Sequence, residues 1–145
     1  MFRWIMRKNA REAVYKLFFS NQFNDKFDDN YKLFIFNEEN LSSEDVCFAN
    51  ELIDNYYGNE EAVNGIIASL LKGYKLERLY STDKCALMLA ITEMTYVKGI
   101  PYIVSINEAM DLVRKFSTKE SLNFVNGILA EYKKQLEDLN DNTWW

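Results

Sequence analysis

Three cations near the start of the chain, Arg7, Lys8 and Arg11, have the type and spacing that suit contact with phosphate. Arg7 and Arg11 stand one helical turn apart and Lys8 three residues before Arg11, so on a helix the three share one side. Cations at a helix N-terminus oppose the macrodipole, which makes the placement unfavourable for stability and argues for another purpose. The wider charge distribution points the same way. Residues 1–16 hold five cations and one anion, net +4, whereas the rest of the chain holds twelve cations and twenty-one anions, net −9. A basic arm on an acidic body fits one localised contact with RNA, because the body repels the same polyanion elsewhere.

Other chemistry has few candidates. Histidine is absent, which removes the commonest general base, the usual zinc ligand and any Ser-His or Cys-His nucleophile pair. The carboxylate pairs Asp28-Asp29, Glu38-Glu39 and Glu60-Glu61 are sequence neighbours, so on a helix they diverge by about 100° and read as solvated charge. Cys47 and Cys85 lack a CxxC spacing, which speaks against a disulfide framework or zinc site, and both read as buried small hydrophobes. No catalytic residue, metal or cofactor is expected, and the protein reads as a non-enzyme. The longest apolar runs, such as Ala86 to Ile91, fall far short of the ~20 residues of a membrane span. The N-terminus lacks a signal peptide's apolar core and cleavage site, so the expected location is the cytoplasm.

The elements that must position these residues are helical. Ala10, Ala13, Val14, Leu17 and Phe18 recur at helical spacing and predict a first amphipathic helix. Asn24 to Asn30 is a polar break, and Tyr31 to Phe36 fits a short strand or a helix, with helix preferred. Ser42 and Asp45 form a capping box for a helix through Val46, Ala49, Ile53 and Tyr56, closed by Gly58. Val63, Ile66, Ile67, Leu70 and Leu71 mark the next. Ser81 or Thr82 can cap a helix from Asp83 to about Lys98 that is apolar on most sides and so central. After Gly99 and Pro101, Ser105 and Glu108 read as the clearest capping box, leading Ile106, Ala109, Leu112, Val113 and Phe116; Asn107 and Glu108 are preferred as capping groups over ligands. A last helix carries Leu122, Val125, Leu129, Leu136 and Leu139. Gly127 in its interior suggests that another backbone approaches closely.

Several blocks, in order, resemble the NusB family: Leu76-Glu77-Arg78-Leu79, Thr82-Asp83-Lys84, Leu87-Met88-Leu89-Ala90, Thr92-Glu93-Met94, Ile100-Pro101, Ser105-Ile106-Asn107-Glu108-Ala109 and Phe124-Val125-Asn126-Gly127-Ile128-Leu129. The opening Arg7-Lys8-Asn9-Ala10-Arg11-Glu12 is similar too. The resemblance implies an all-α bundle of about seven helices in two packed three-helix subdomains. Residues 1–145 then make one domain, with 1–6 as a disordered extension and 140–145, including Trp144-Trp145, as a tail. It implies an antitermination factor that binds boxA-type single-stranded RNA with NusE, a small-subunit ribosomal protein, and helps RNA polymerase transcribe ribosomal RNA through terminators. By the same likeness Arg7, Lys8 and Arg11 contact RNA, with Phe124 and Asn126 near that surface, and NusE docks on an acidic side at Glu77 and Asp83. Phe124 could stack on a base or fill the core. The alternative is a helical protein-interaction scaffold that has lost RNA binding.

Overall fold

The computed structural model describes residues 7–23 and 28–142, with side chains described as far as residue 140. The expected N-terminal extension and Trp144-Trp145 lie outside the described residues. Seven α-helices follow in order: α1 Lys8–Asn21, α2 Asp29–Glu38, α3 Ser43–Gly58, α4 Glu60–Leu70, α5 Ser81–Tyr96, α6 Tyr102–Phe116 and α7 Lys119–Asn142, with one 3₁₀ turn at Leu76–Arg78. There is no strand among the described residues, and the ambiguous Tyr31 to Phe36 segment is helical. Asp28 starts α2 by accepting hydrogen bonds from the N–H groups of Asn30 and Tyr31. The capping box at Ser42 and Asp45 forms at the head of α3.

Helix α5 is the axis. Every residue from Cys85 to Met94 is buried, and the helix packs against α1, α3, α4, α6 and α7. A helix apolar all round has to be enclosed by others. One three-helix group is α1 to α3 and the other α5 to α7, with α4 bridging, but α5 also meets α1 and α3, so the two groups share one core.

Three local expectations fail for identifiable reasons. Helix α6 starts at Tyr102, directly after Pro101, whose fixed φ and missing N–H suit a helix start, so Ser105 and Glu108 lie inside the helix instead of capping it. The Ser105 hydroxyl donates to the buried Glu93 carboxylate, and Glu108 pairs with Lys8 and Arg11. Helix α5 starts at Ser81 with no side-chain cap, because the Thr82 hydroxyl is engaged by Ser117. Nothing lies within 4 Å of a Cβ built on Gly127, which is exposed, so no backbone approaches it. A fourth correction concerns Cys47, which is exposed on α3, whereas Cys85 is buried as expected.

Candidate RNA interface

The three cations at the start of α1, Arg7, Lys8 and Arg11, are already engaged by the protein's own acids. Arg11 is 1% exposed and grips Glu93 of α5 in a two-pronged pair, Nε to Oε1 at 2.7 Å and Nη2 to Oε2 at 3.0 Å. Its guanidinium also lies 5.0 Å from the centre of the Phe48 ring. Ser105 Oγ donates to the same Glu93 carboxylate, so α1, α5 and α6 are joined at one buried ionic node. Arg7 is buried as well, with Nη1 on Asp45 and Nη2 on Glu44, each at 3.0 Å. These contacts tie the start of α1 to the first turn of α3, where acids also favour the helix dipole. Lys8 is different. Its side chain is 64% exposed, and its ammonium reaches Asp111 at 2.8 Å and Glu108 at 3.0 Å, hydrogen bonds that raise its pKa. The macrodipole cost of these cations is thus offset by intramolecular pairing, and the geometry removes Arg11 from any surface that RNA could touch.

A second basic and aromatic cluster occupies the α4–α5 loop, Lys72-Gly73-Tyr74-Lys75-Leu76-Glu77-Arg78-Leu79-Tyr80. Its cations Lys72, Lys75 and Arg78 are exposed and form no ion pair among the described residues. Gly73, at φ +97°, follows Lys72 at φ +49°, and this left-handed pair turns the chain so that Tyr74 projects outward. Tyr74 is 61% and Tyr80 67% exposed. The Tyr74 ring lies 5.9 Å from that of Phe124 on α7, tilted by 56°. Together with Arg78, Asp83, Thr118, Glu120 and Ser121, these three aromatics line an open cleft of about 420 Å³. Exposed rings beside unpaired cations are what stacking of unpaired bases, with phosphate contact, requires. Of the two open readings of Phe124, neither holds alone: the ring is half-buried against the core yet lines the cleft.

The remaining site residues scatter. Asn126 is exposed but stands two positions beyond Phe124, about 200° around α7, so the two flank the buried face on opposite sides. Glu77 is exposed in the 3₁₀ turn. Asp83 is only 3% exposed and its carboxylate is taken by Ser117 and Ser121, so it supports the cleft wall and does not present charge to a partner. On the far side of that wall lies a groove of about 630 Å³ lined by Tyr15, Phe19, Phe23, Tyr31 and Phe116, with Lys16 and Thr82 at its edge. Phe23 is 68% exposed, and Phe19 and Phe23 meet edge to face at 5.4 Å. Such a contiguous exposed apolar surface suits a protein partner. Of the cleft, the sequence points to Phe124 and Asp83 but not to Tyr74, Tyr80 or the loop cations, and it does not point to the aromatic groove. The alternation of tyrosine and lysine in Tyr74-Lys75 and the run of aromatics from Tyr15 to Phe23 were the available signals.

No group of three or more potential metal ligands occurs among the described residues, and no helix among them is long and apolar enough to cross a membrane. Burial pushes the Cys85 thiol up to about 12, which keeps it from acting as a nucleophile.

Comparison with known proteins agrees with this architecture. The model of the NusB family matches residues 8–134. The chain is 35% identical over 129 residues to the transcription antitermination protein NusB of Alkaliphilus oremlandii, covering 89% of this chain and 94% of that protein. Among solved structures it superposes on Thermotoga maritima NusB with a TM-score of 0.79 at 30% identity, covering 88% of this chain and 90% of that one. A complex of the antitermination factors NusB and NusE with double-stranded RNA contains a chain of the same fold, at a TM-score of 0.82 and 23% identity, covering 93% of this chain and 99% of that one.

Proposed function

Because this chain belongs to the NusB family, we propose that it is a non-catalytic antitermination factor that binds boxA-type single-stranded RNA together with NusE and supports transcription of ribosomal RNA through terminators. The observation that carries the reading is the α4–α5 loop, where unpaired cations and exposed tyrosines adjoin Phe124 in one cleft. RNA lies across this cleft, its bases on Tyr74, Tyr80 and Phe124 and its phosphates near Lys72, Lys75 and Arg78. Of Arg7, Lys8 and Arg11, Lys8 alone is accessible enough to exchange its carboxylate partners for a phosphate. Arg7 and Arg11 hold the helix that carries it. NusE takes the aromatic groove beside Phe19 and Phe23, with Glu77 available at the rim of the RNA cleft and Asp83 acting from within the wall. The complex of NusB and NusE with double-stranded RNA, which contains a chain of the same fold, is a precedent for this partnership.

One observation favours the rival reading of a protein-binding scaffold without RNA affinity: Arg7, Lys8 and Arg11 are each matched by acids of α3, α5 or α6. Fluorescence anisotropy of a boxA-type RNA and a scrambled control, each with and without NusE, separates the two. Selective binding that NusE strengthens is expected; NusE binding with no RNA affinity at any salt concentration would leave the scaffold.

A further inference from the structure

The RNA cleft and the aromatic groove share one wall, the first turn of α5 packed against the α6–α7 corner, and a set of hydrogen bonds joined through Thr82 runs through it. On the groove side the Tyr15 hydroxyl donates to the Thr82 carbonyl at 3.0 Å. Thr82 Oγ1 donates to Ser117 Oγ at 3.2 Å, and Ser117 Oγ donates to Asp83 Oδ1 at 2.7 Å. From the cleft side Thr118 Oγ1 donates to Ser121 Oγ at 3.1 Å, and Ser121 Oγ donates to Asp83 Oδ2 at 2.6 Å. Each hydroxyl has one hydrogen; those of Thr82, Ser117, Thr118 and Ser121 lead to the single Asp83 carboxylate, and that of Tyr15 ends on the Thr82 carbonyl. Asp83 lies in the first turn of α5 and Ser121 in the first turn of α7, so the negative charge also favours two helix N-termini at once. Tyr80 precedes this turn of α5 by two residues from Thr82, and Phe124 follows Ser121 by three on α7.

We propose that this hydroxyl–carboxylate chain couples the two surfaces, so that a protein seated in the groove fixes the wall and with it the Tyr80 and Phe124 rings that receive RNA. The inference rests on the functional reading above. Its physical basis is that ordering one side of a shared hydrogen-bond network lowers the ordering cost of the other. Ser117 is the informative position because it lines neither surface, and removing its hydroxyl cuts the chain between Thr82 and Asp83.

The test measures RNA affinity with and without saturating NusE, and NusE affinity alone. In the native protein NusE is expected to tighten RNA binding by about fivefold or more. In Ser117→Ala each ligand alone binds within about twofold of native while the tightening falls below about twofold. Ser117→Thr, which restores the hydroxyl, is expected to restore the coupling. Thr82→Val, which removes the hydroxyl that donates to Ser117, is expected to lose the coupling as well, judged against its own NusE affinity because Thr82 edges the groove, and it decides the matter if circular dichroism finds Ser117→Ala unfolded. Native-level coupling in a folded Ser117→Ala or Thr82→Val protein would overturn the proposal, as would independent binding of the two ligands to the native chain. A native protein that binds neither ligand would instead overturn the functional reading.

Discussion

Replacing Arg11 with alanine separates a structural from an RNA-binding role more sharply than any other change to α1. Arg11 and Glu93 are each 1% exposed and joined by two hydrogen bonds, and Ser105 completes the node. Without Arg11, Glu93 is left as a buried carboxylate with its counter-charge gone, at a cost of roughly 3–5 kcal/mol. Loss of the guanidinium over Phe48 acts in the same direction. For a chain of this size each kcal/mol shifts Tm by roughly 2–4 °C, so a fall of roughly 6–20 °C is expected. Thermal and urea unfolding followed by far-UV circular dichroism measures it. The double variant Arg11→Met, Glu93→Leu removes both charges and is expected to recover most of the loss, because burying two apolar side chains replaces a pair that is costly to desolvate. RNA affinity, taken at a temperature where the single variant stays folded, is expected within about twofold of native, since Arg11 is buried and does not line the RNA cleft. An unchanged Tm with lost RNA binding would refute the reasoning and return Arg11 to the interface.

Three further outcomes follow from local geometry. Gly127→Ala is expected to stabilise the protein by about 0.5–1 kcal/mol, because the site is helical and a Cβ there meets nothing within 4 Å; denaturant midpoints measure it. A thiol-specific reagent is expected to label Cys47 in the native state and Cys85 only after unfolding, read by mass spectrometry of the intact chain and its peptides. Burial works to raise the Glu12 pKa, but hydrogen bonds from Lys115 and Lys16 prevail and lower it. A carboxyl lowered in the folded state stabilises the fold above its unfolded pKa, and that contribution is lost as pH falls through the folded value. Glu12→Gln is therefore expected to flatten the acid limb of stability against pH, and an unchanged acid limb would contradict the assignment.

Much of the fold is legible in the sequence because burial writes itself as periodicity. The unbroken apolar run in α5 marks a helix enclosed on all sides, and Ser42 with Asp45 marks a helix start. Ser105 and Glu108 mislead because the same residues that cap a helix can also sit within one, and here an upstream proline sets the start while the polar groups serve buried ion pairs. The charge asymmetry of the N-terminus meets a related limit. A count of cations cannot tell Lys8, which faces solvent, from Arg11, whose acid partner stands 82 residues away. The same limit hides the platform, since Tyr74 and Phe124 are brought together only by the packing of the α4–α5 loop against α7. Asp83 reads as surface charge in a family block, and only the fold reveals the two hydroxyls that hold it inside.

The central claim, that RNA is held by the α4–α5 loop and not by the arginines of α1, is tested most directly by the salt dependence of RNA binding in two variants. Each is compared with native protein by anisotropy across a salt series, with thermal unfolding as the folding control. The triple variant Lys72→Ala, Lys75→Ala, Arg78→Ala is predicted to lower the magnitude of the log–log slope by about 2, as expected when three phosphate contacts to a single strand are lost at about 0.7 each. Arg7→Ala is predicted to lower Tm and leave the slope unchanged, because its guanidinium is committed to Glu44 and Asp45. An unchanged slope in the triple variant, with a reduced slope in Arg7→Ala, would contradict the account.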